Sequence, residues 1–180
     1  MTDRKKKNIL ELTRCSAEEY RIAEKQPLIV ITDNVRSMHN IGSIFRTADA
    51  FLIKEIVLGG ISGTPPHPEI TKTALGAEDS VSWRHVEDTY KEVEILKKEG
   101  WKISVLEQAH NSVPLNEFNR KMDEKLVLVV GNEVSGVDQK IVDIADYILE
   151  IPQYGVKHSL NVSVSAGIAL FQLSIPLFSS

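Results

Sequence analysis

The chain of 180 residues is 42% hydrophobic and 26% charged, which is the composition of one compact globular domain. Its formal net charge of -4 excludes the global basic field that draws many proteins to nucleic acid. A single cysteine, Cys15, excludes an internal disulfide framework and a cysteine-based zinc site, and favours a reducing, cytoplasmic setting. The five histidines lack metal-ligand spacing and no apolar run approaches the roughly 20 residues of a membrane helix, so we expect neither a metal nor a membrane partner.

The chain opens with a basic segment and a short helix. Either a solvated charge run or an arm that neutralises phosphates explains the four basic residues Arg4, Lys5, Lys6 and Lys7. The pattern Ser16-Ala17-Glu18-Glu19 is a capping box and predicts a helix from Ala17 to Glu24, before Pro27. We therefore separate residues 1–26, the arm and the helix, from a domain at residues 27–180.

Apolar runs rich in branched residues follow, and each predicts a β-strand. They are Leu28–Thr32, Glu55–Leu58, Ser80–His85, Trp101–Leu106, Leu126–Val130 and Tyr147–Ile151. Helical patterns separate most of them, at Asn40–Phe51, Asp88–Glu99, Asp138–Ala145 and Asn161–Leu173. Strands that alternate with helices predict an α/β fold with a mostly parallel sheet and right-handed crossovers.

Ligands of open parallel sheets bind beyond the carboxyl ends of the strands, which directs attention to the segments that follow each run. Three of these segments carry polar residues that packing does not require: "DNVRSMHN", "GNEVSG" and "PQYGVKHSLN". The segment "GGISGTPPHPE" predicts a shaped surface loop in which His67 has a structural or solvated role.

The first of the three segments leads into a helix that carries Asn40 and Arg46. Asn40 is expected to cap the backbone N–H groups of that helix. Arg46 lies near the apolar face of Phe45, where an unpaired guanidinium is costly to bury, so it requires a carboxylate, a phosphate or water. A structural ion pair and a ligand contact both remain open, and Glu133 is the expected charge partner.

The other two segments supply further polar groups. Gly131 and Gly136 bracket a tight turn that either holds a small polar ligand or is an ordinary strand-to-helix turn, and no dinucleotide or P-loop fingerprint is present. Ser159 and Asn161 open an otherwise apolar helix, and capping alone explains one of them. The residues alone predict a parallel α/β ligand-binding domain, without naming its chemistry.

These segments, in this order, resemble the three signature motifs of the SpoU branch of the SPOUT methyltransferases, the TrmH-type RNA ribose 2′-O-methyltransferases. The matching stretches are "SMHNIGSIFRTADA", "GNEVSG" and "IPQYGVKHSLNVSVSAGIAL", and "KTALGAE" at residues 72–78 is similar to the family's linking segment. The resemblance runs from about Leu28 to Leu173.

The resemblance implies transfer of a methyl group from S-adenosylmethionine (AdoMet) to a ribose 2′-hydroxyl of structured RNA, in a homodimer. The fold it implies is a parallel sheet whose carboxyl-terminal part is threaded into a deep trefoil knot. By position, the family's catalytic residues fall on Asn40, Arg46, Glu133, Ser159 and Asn161. The methyl donor is expected to contact Leu106, Glu107, Gly131, Ile151 and Leu160. The basic residues expected to contact RNA are Arg4, Lys5, Lys6, Lys7 and Arg36.

The base that the resemblance implies is Arg46, but a guanidinium holds its proton firmly and is a poor base near neutral pH. We expect Arg46 to bind the adjacent phosphate and to stabilise negative charge that develops on the oxygen, with Glu133, Ser159 and Asn161 orienting it.

The substrate class and two rivals are left open by the sequence. Short flanking segments favour tRNA over rRNA, because larger relatives with an added recognition domain often act on rRNA. A catalytically silent RNA-binding scaffold would bind RNA without methyl transfer. A nucleotide-dependent oxidoreductase would require a glycine-rich fingerprint where this chain has "DNVRSMHN".

Overall fold

The computed structural model describes residues 4–8, 11, 16–121 and 123–178, so Cys15 lies outside the described residues. Within these ranges the strands are β1 Gln26–Asp33, β2 Ile53–Gly59, β3 Trp83–Val86, β4 Lys102–Leu106, β5 Val113–Pro114, β6 Leu126–Val130 and β7 Tyr147–Glu150. The helices are α1 Ala17–Ile22, α2 Met38–Ala50, α3 Pro68–Ala74, α4 Ala77–Ser80, α5 Thr89–Lys98, α6 Gln139–Ile144 and α7 Val162–Phe178.

The seven strands form one sheet in the order β3-β2-β1-β6-β4-β7-β5, and every pairing between neighbours is parallel. All five residues of β6 are buried, because one hydrophobic cluster lies on each face of the sheet. The predicted parallel α/β fold is confirmed. Since β1, β6, β4 and β7 are neighbours, the segments that follow their carboxyl ends meet at one edge of the sheet.

All six predicted strands are present, but the start predicted for the third one was wrong. It begins at Trp83, because residues from Ala77 to Ser80 form α4. Helix α3 was not predicted either, since the segment before it is rich in turn residues. His67 caps α3 by accepting a hydrogen bond at Nδ1 from the Glu69 N–H at 3.2 Å, and Pro68 occupies the first turn. The structural role predicted for His67 is confirmed.

The helix ends show which polar residues packing and capping use. The predicted capping box of α1 is present. The prediction that Asn40 caps α2 was wrong: α2 begins at Met38, and the Ser37 hydroxyl accepts the capping hydrogen bond from the backbone N–H of Asn40 at 3.3 Å. The Asn40 side chain is buried and is left available for other contacts.

A buried polar cluster fixes α7 against the amino end of β1. The guanidinium of Arg120 donates to the Gln26 side-chain oxygen at 3.0 Å and to the Leu173 carbonyl at 3.2 Å. The Gln26 amide donates in turn to the Ser174 hydroxyl at 3.0 Å. These contacts hold the far end of α7, and so fix the direction in which its first turn meets the sheet edge.

No helix among the described residues is long and apolar enough to cross a membrane. The deep trefoil knot stays a prediction.

Helices α2 and α3 cross at Gly42, where the two backbones approach closely. A Cβ atom added at Gly42 would lie 2.4 Å from the Ile70 carbonyl oxygen and 2.1 Å from the Thr73 hydroxyl. We expect Gly42→Ala to lower the free energy of unfolding by about 1–3 kcal/mol, because α3 must move away from α2. Urea unfolding at fixed protein concentration measures this change.

The matched control is Ser43→Ala, the next position of the same helix. The Ser43 hydroxyl donates only to the His39 carbonyl of its own helix, at 2.9 Å. Its loss should change the free energy of unfolding by less than about 0.5 kcal/mol. Equal effects of the two substitutions would contradict the close crossing.

Candidate active site

A cavity of about 430 Å³ lies at the carboxyl edge of the sheet. Its walls come from the ends of β4, β6 and β7 and from the start of α7. The five residues predicted to contact the methyl donor all line it: Leu106, Glu107, Gly131, Ile151 and Leu160. Among the predicted catalytic residues, Glu133, Ser159 and Asn161 line the same cavity. The volume is in the range of small-molecule sites.

The 131–137 loop, which follows β6, owes its shape to Asn132. The Asn132 side-chain oxygen accepts hydrogen bonds from the N–H groups of Val134 and Ser135 at 2.9 and 3.1 Å. Its amide donates to the Asn34 carbonyl at 2.8 Å, which ties the loop to the end of β1. Backbone hydrogen bonds of 3.0 Å in both directions join Asn132 to Gly136. The tight turn predicted between Gly131 and Gly136 is confirmed.

Two carboxylates hold the other end of this loop. Glu107 accepts a hydrogen bond from the Val137 N–H at 2.8 Å, and buried Asp33 accepts one from the Asp138 N–H at 2.9 Å. Gly136 has a φ of +70°, and a Cβ there would lie 2.3 Å from the Glu107 carboxylate. Sequence reasoning assigned no side-chain role to these carboxylates or to Asn132, because their partners are backbone groups of distant segments.

Three predicted catalytic residues form a continuous chain of hydrogen bonds. The Asn161 amide donates to the Asn40 side-chain oxygen at 3.1 Å, and the Asn40 amide donates to the Glu133 carboxylate at 3.0 Å. The Asn161 oxygen accepts from the Ser163 N–H at 2.9 Å and so caps α7. A capping oxygen at one end and a carboxylate at the other fix the direction of both amides.

The Glu133 carboxylate is surrounded by donors. Besides the Asn40 amide, it accepts from the backbone N–H groups of Arg36 and Ser37, each at 3.2 Å. Partial removal from water raises the pKa of Glu133, but hydrogen bonds from its own N–H, from Asn40 and from the two backbone groups outweigh this effect and lower the pKa overall. Glu133 is therefore an ionised group that orients Asn40.

The ion pair predicted between Glu133 and Arg46 was wrong. Glu133 is satisfied by N–H donors, and Arg46 is exposed on α2 without an ion pair or a hydrogen bond to any described residue. The expectation that Arg46 lies on the buried face of its helix also fails, because that face consists of Ile41, Ile44, Phe45 and Ala48. Arg46 is exposed to solvent, six residues beyond Asn40 in the same helix.

The remaining predicted site residues are at the surface. Ser159 is exposed at the cavity wall. The basic residues Arg4, Lys5, Lys6, Lys7 and Arg36 are all exposed.

Within the described part of the chain, no group of three or more His, Cys, Asp or Glu side chains has the geometry to hold a metal ion.

The fold and the cavity define a class of protein: a parallel α/β domain that holds a small ligand at the carboxyl edge of its sheet, beside fixed amide and carboxylate groups. The sequence profile of the SpoU rRNA Methylase family matches residues 27–171. The chain belongs to this family, which confirms the resemblance inferred from the motifs.

Individual relatives agree with this assignment. The tRNA (guanosine(18)-2'-O)-methyltransferase of Aquifex aeolicus is 36% identical over 154 residues, covering 82% of this chain and 69% of that protein. The TrmH/SpoU tRNA modifying enzyme of A. aeolicus has a TM-score of 0.81 and 31% identity, covering 91% of this chain and 81% of that one. The AdoMet-bound rRNA methyltransferase of Sinorhizobium meliloti has a TM-score of 0.79 and 27% identity, and the match covers 86% of this chain and 58% of that one.

The chain is shorter than several of the relatives it matches. It spans 58 to 64% of the length of proteins from Vibrio and Escherichia coli that are named 23S rRNA (guanosine-2'-O-)-methyltransferase RlmB.

The lowered pKa of Glu133 predicts a pH-dependent contribution to stability. A carboxyl group whose pKa is lower in the folded state stabilises the fold fully above its unfolded value of 4.5, and this contribution disappears as the pH falls through the folded value. We expect Glu133→Gln to destabilise the protein at pH 7 and the difference from the wild type to shrink steadily below about pH 4.5. Unfolding free energies between pH 7 and pH 3 test this.

The control for this experiment is Glu87→Gln, at an exposed glutamate for which the structure shows no hydrogen bond or ion pair to a described residue. A pH-independent difference between Glu133→Gln and the wild type would contradict the hydrogen-bonded, ionised state of Glu133.

Proposed function

We propose that this protein is an AdoMet-dependent RNA methyltransferase that methylates a ribose 2′-hydroxyl. The observation that carries the proposal is the hydrogen-bonded chain Asn161–Asn40–Glu133 at the wall of the cavity. It joins one residue from each of the three motifs. Relatives named guanosine 2'-O-methyltransferases support the same activity.

The cavity suits AdoMet in size and charge. The charged side chains of its lining are the carboxylates of Glu107 and Glu133, with no cationic side chain beside them in the described wall. AdoMet carries a positive sulfonium, which carboxylates attract. When bound, AdoMet supplies the methyl group as an electrophile. Leu106, Gly131, Ile151 and Leu160 would hold it. The AdoMet-bound relative from S. meliloti supports AdoMet as the ligand.

The two asparagine amides are suited to bind the attacking oxygen. Each amide has two hydrogens; Asn40 donates one to Glu133 and Asn161 donates one to Asn40, while no described residue accepts the second hydrogen of either. Donors fixed in advance stabilise negative charge as it develops on an oxygen. We propose that the second hydrogens of Asn40 and Asn161 position the ribose oxygen at the cavity, with Ser159 beside it.

The ionisable residues act by orientation and charge. The lowered pKa of Glu133 makes it a poor base near neutral pH. A guanidinium, which holds its proton firmly, is a poor base as well. We propose that Glu133 orients Asn40 and that Arg46 binds the phosphate next to the reactive ribose. Arg46 is exposed and has no described partner, which supports a role in which its guanidinium donates hydrogen bonds to a phosphate of the substrate.

The substrate class that we propose is tRNA. The relative named for tRNA is 36% identical, whereas those named for 23S rRNA are 26 to 30% identical. The coverage of 81% of the A. aeolicus tRNA modifying enzyme supports the same choice. The exposed basic residues Arg4, Lys5, Lys6, Lys7 and Arg36 are available to contact the phosphates of a folded RNA.

We further propose a homodimer that forms through α7. Val164 and Ile168 are 50% and 41% exposed and lie one turn apart, and Phe171 continues the same stripe. A Cβ added at Gly167 would meet no atom within 4 Å, so this face of the helix is open. Helix α7 has no charged side chain, which is typical of the core of a subunit interface.

Methyl transfer tests the proposed activity. Purified protein is incubated with radiolabelled AdoMet and, separately, with unmodified total tRNA and rRNA. We expect label to enter tRNA as alkali-resistant dinucleotides, because a 2′-O-methyl group blocks cleavage of the adjacent phosphodiester. Removal of the phosphate contact by Arg46→Ala should lower the rate by about 100-fold or more.

Arg46→Lys keeps the positive charge but cannot form two parallel hydrogen bonds to a phosphate, so its rate should also fall well below that of the wild type. Near-normal turnover by Arg46→Lys would contradict the bidentate role. Label in rRNA alone would correct the substrate class, and RNA binding without any label would favour a catalytically silent scaffold.

The proposed dimer predicts that Ile168→Glu yields a monomer, since a buried unpaired carboxylate in an apolar interface is costly. Light scattering at micromolar concentration measures the mass. Ile95→Glu is the matched control, because Ile95 is 49% exposed on α5 and lies outside the proposed interface. Equal masses for the wild type and Ile168→Glu would contradict an interface formed by α7.

A further inference from the structure

The rim of the cavity carries a short segment whose side chains are almost completely exposed. Residues 154–158, with the sequence YGVKH, lie in the middle of the connection between β7 and α7. Tyr154 is 97% exposed and Val156 is 92% exposed, while Lys157 and His158 are exposed as well. Neither Tyr154 nor Lys157 makes a hydrogen bond, ring contact or ion pair with a described residue. Packing and capping therefore do not account for these side chains.

The segment is placed directly at the candidate active site. Gln153, which precedes it, and Ser159, which follows it, both line the cavity. Its base is fixed because the Gln108 amide donates a hydrogen bond to the His158 carbonyl at 2.8 Å. Across the cavity, Val134 in the 131–137 loop is 92% exposed. The rim segment thus lies between two residues of the cavity lining and is held at one end by Gln108.

The charge of this side of the opening favours an anionic partner. No Asp or Glu occurs between Ile151 and the end of the chain, so the rim segment itself carries the cation of Lys157 and no carboxylate. On the opposite wall, the Glu133 carboxylate is covered by three N–H donors from the 36–40 region. The other carboxylate of the lining, Glu107, accepts a hydrogen bond from the Val137 N–H, so both carboxylates are engaged by the protein, whereas the rim segment adds the exposed cation of Lys157.

We propose that residues 154–158 form the docking surface for the nucleotide that is methylated or its immediate neighbour in the RNA. This inference rests on the proposed function, because it places the RNA at the same opening. The ring of Tyr154 stacks on a base, and Lys157 contacts a phosphate. Every base offers a flat face, so an exposed aromatic ring beside a cation binds unpaired nucleotides without requiring a particular sequence.

A second copy of the chain is a less suitable occupant of this surface. The cores of protein interfaces are depleted of lysine. The rim segment, in contrast, contains Lys157 directly between Val156 and His158. The stripe of Val164 and Ile168 on α7 already offers an interface without charge. The mixture of one aromatic ring, glycine and basic residues is the composition that contacts single-stranded RNA.

Tyr154→Ala and Tyr154→Phe test the stacking contact in the full-length protein. We expect Tyr154→Ala to weaken the binding of an unmodified tRNA transcript by about ten-fold, because the ring is lost. Tyr154→Phe keeps the ring and should bind within about two-fold of the wild type. Fluorescence anisotropy measures the Kd for RNA, calorimetry measures the Kd for AdoMet, and light scattering measures the mass of the protein. The Kd for AdoMet and the mass should stay unchanged in both variants.

Lys157→Ala tests the phosphate contact, with Lys98→Ala as the matched control. Lys98 is exposed at the end of α5, far along the chain from the rim, and forms no ion pair with a described residue. Loss of one phosphate contact should reduce the slope of log Kd against log salt concentration by about 0.7 for Lys157→Ala. The slope for Lys98→Ala should equal that of the wild type.

Several results would overturn the inference. Unchanged RNA affinity in Tyr154→Ala would remove the stacking surface, a fall in mass would assign the segment to a subunit interface, and a loss of AdoMet affinity would assign it to the methyl donor. The binding measurements do not depend on catalysis. If the wild type binds RNA but transfers no methyl group, the proposed enzymatic function fails while the same variants still decide the docking surface.

Discussion

The side chain of Asn40 is the contact on which the candidate site depends. It accepts from Asn161, 121 positions later in the sequence, and donates to Glu133, 93 positions later. Asn161 directly precedes α7, Asn40 lies in α2 and Glu133 follows β6. The contact therefore requires the strand order in which β1 and β6 are neighbours. The two ends of the chain of hydrogen bonds are also structural, because Asn161 caps α7 and Glu133 binds backbone N–H groups before α2. The fold and the site are therefore stabilised by the same contacts.

This arrangement assigns different tasks to residues of similar polarity. Glu133 and Asn132 are engaged by the protein and shape the candidate site, whereas Asn40 and Asn161 each keep one amide hydrogen that no described residue accepts. Arg46 has no described partner and is suited to a ligand that brings its own anion. Preorganised donors around the reacting oxygen, rather than a strong base, are what the described side chains supply.

Much of this organisation could be predicted from the sequence. The hydrophobic periodicity located the buried strands, and the polar residues beyond β1, β6 and β7 located the site, since apolar packing does not require them. The partners of those residues could not be predicted. Glu133 was expected to pair with Arg46 because Arg46 was assigned to the buried face of its helix, which was wrong. The Ser37 side chain caps α2 and leaves the Asn40 side chain for a contact with a residue far along the chain. Periodicity reports which face is buried, but it carries no information about which distant polar groups meet.

The most direct measurement is the single-turnover methyl-transfer rate of Asn161→Asp, beside Asn161→Ala. An aspartate keeps the oxygen that caps α7 and loses the amide that donates to Asn40. The account predicts that Asn161→Asp retains the wild-type free energy of unfolding to within about 1 kcal/mol, while its rate falls by about 100-fold or more. Asn161→Ala loses the cap as well and should be the less stable of the two. A wild-type rate in Asn161→Asp would show that the hydrogen-bonded chain is structural and has no part in the chemistry.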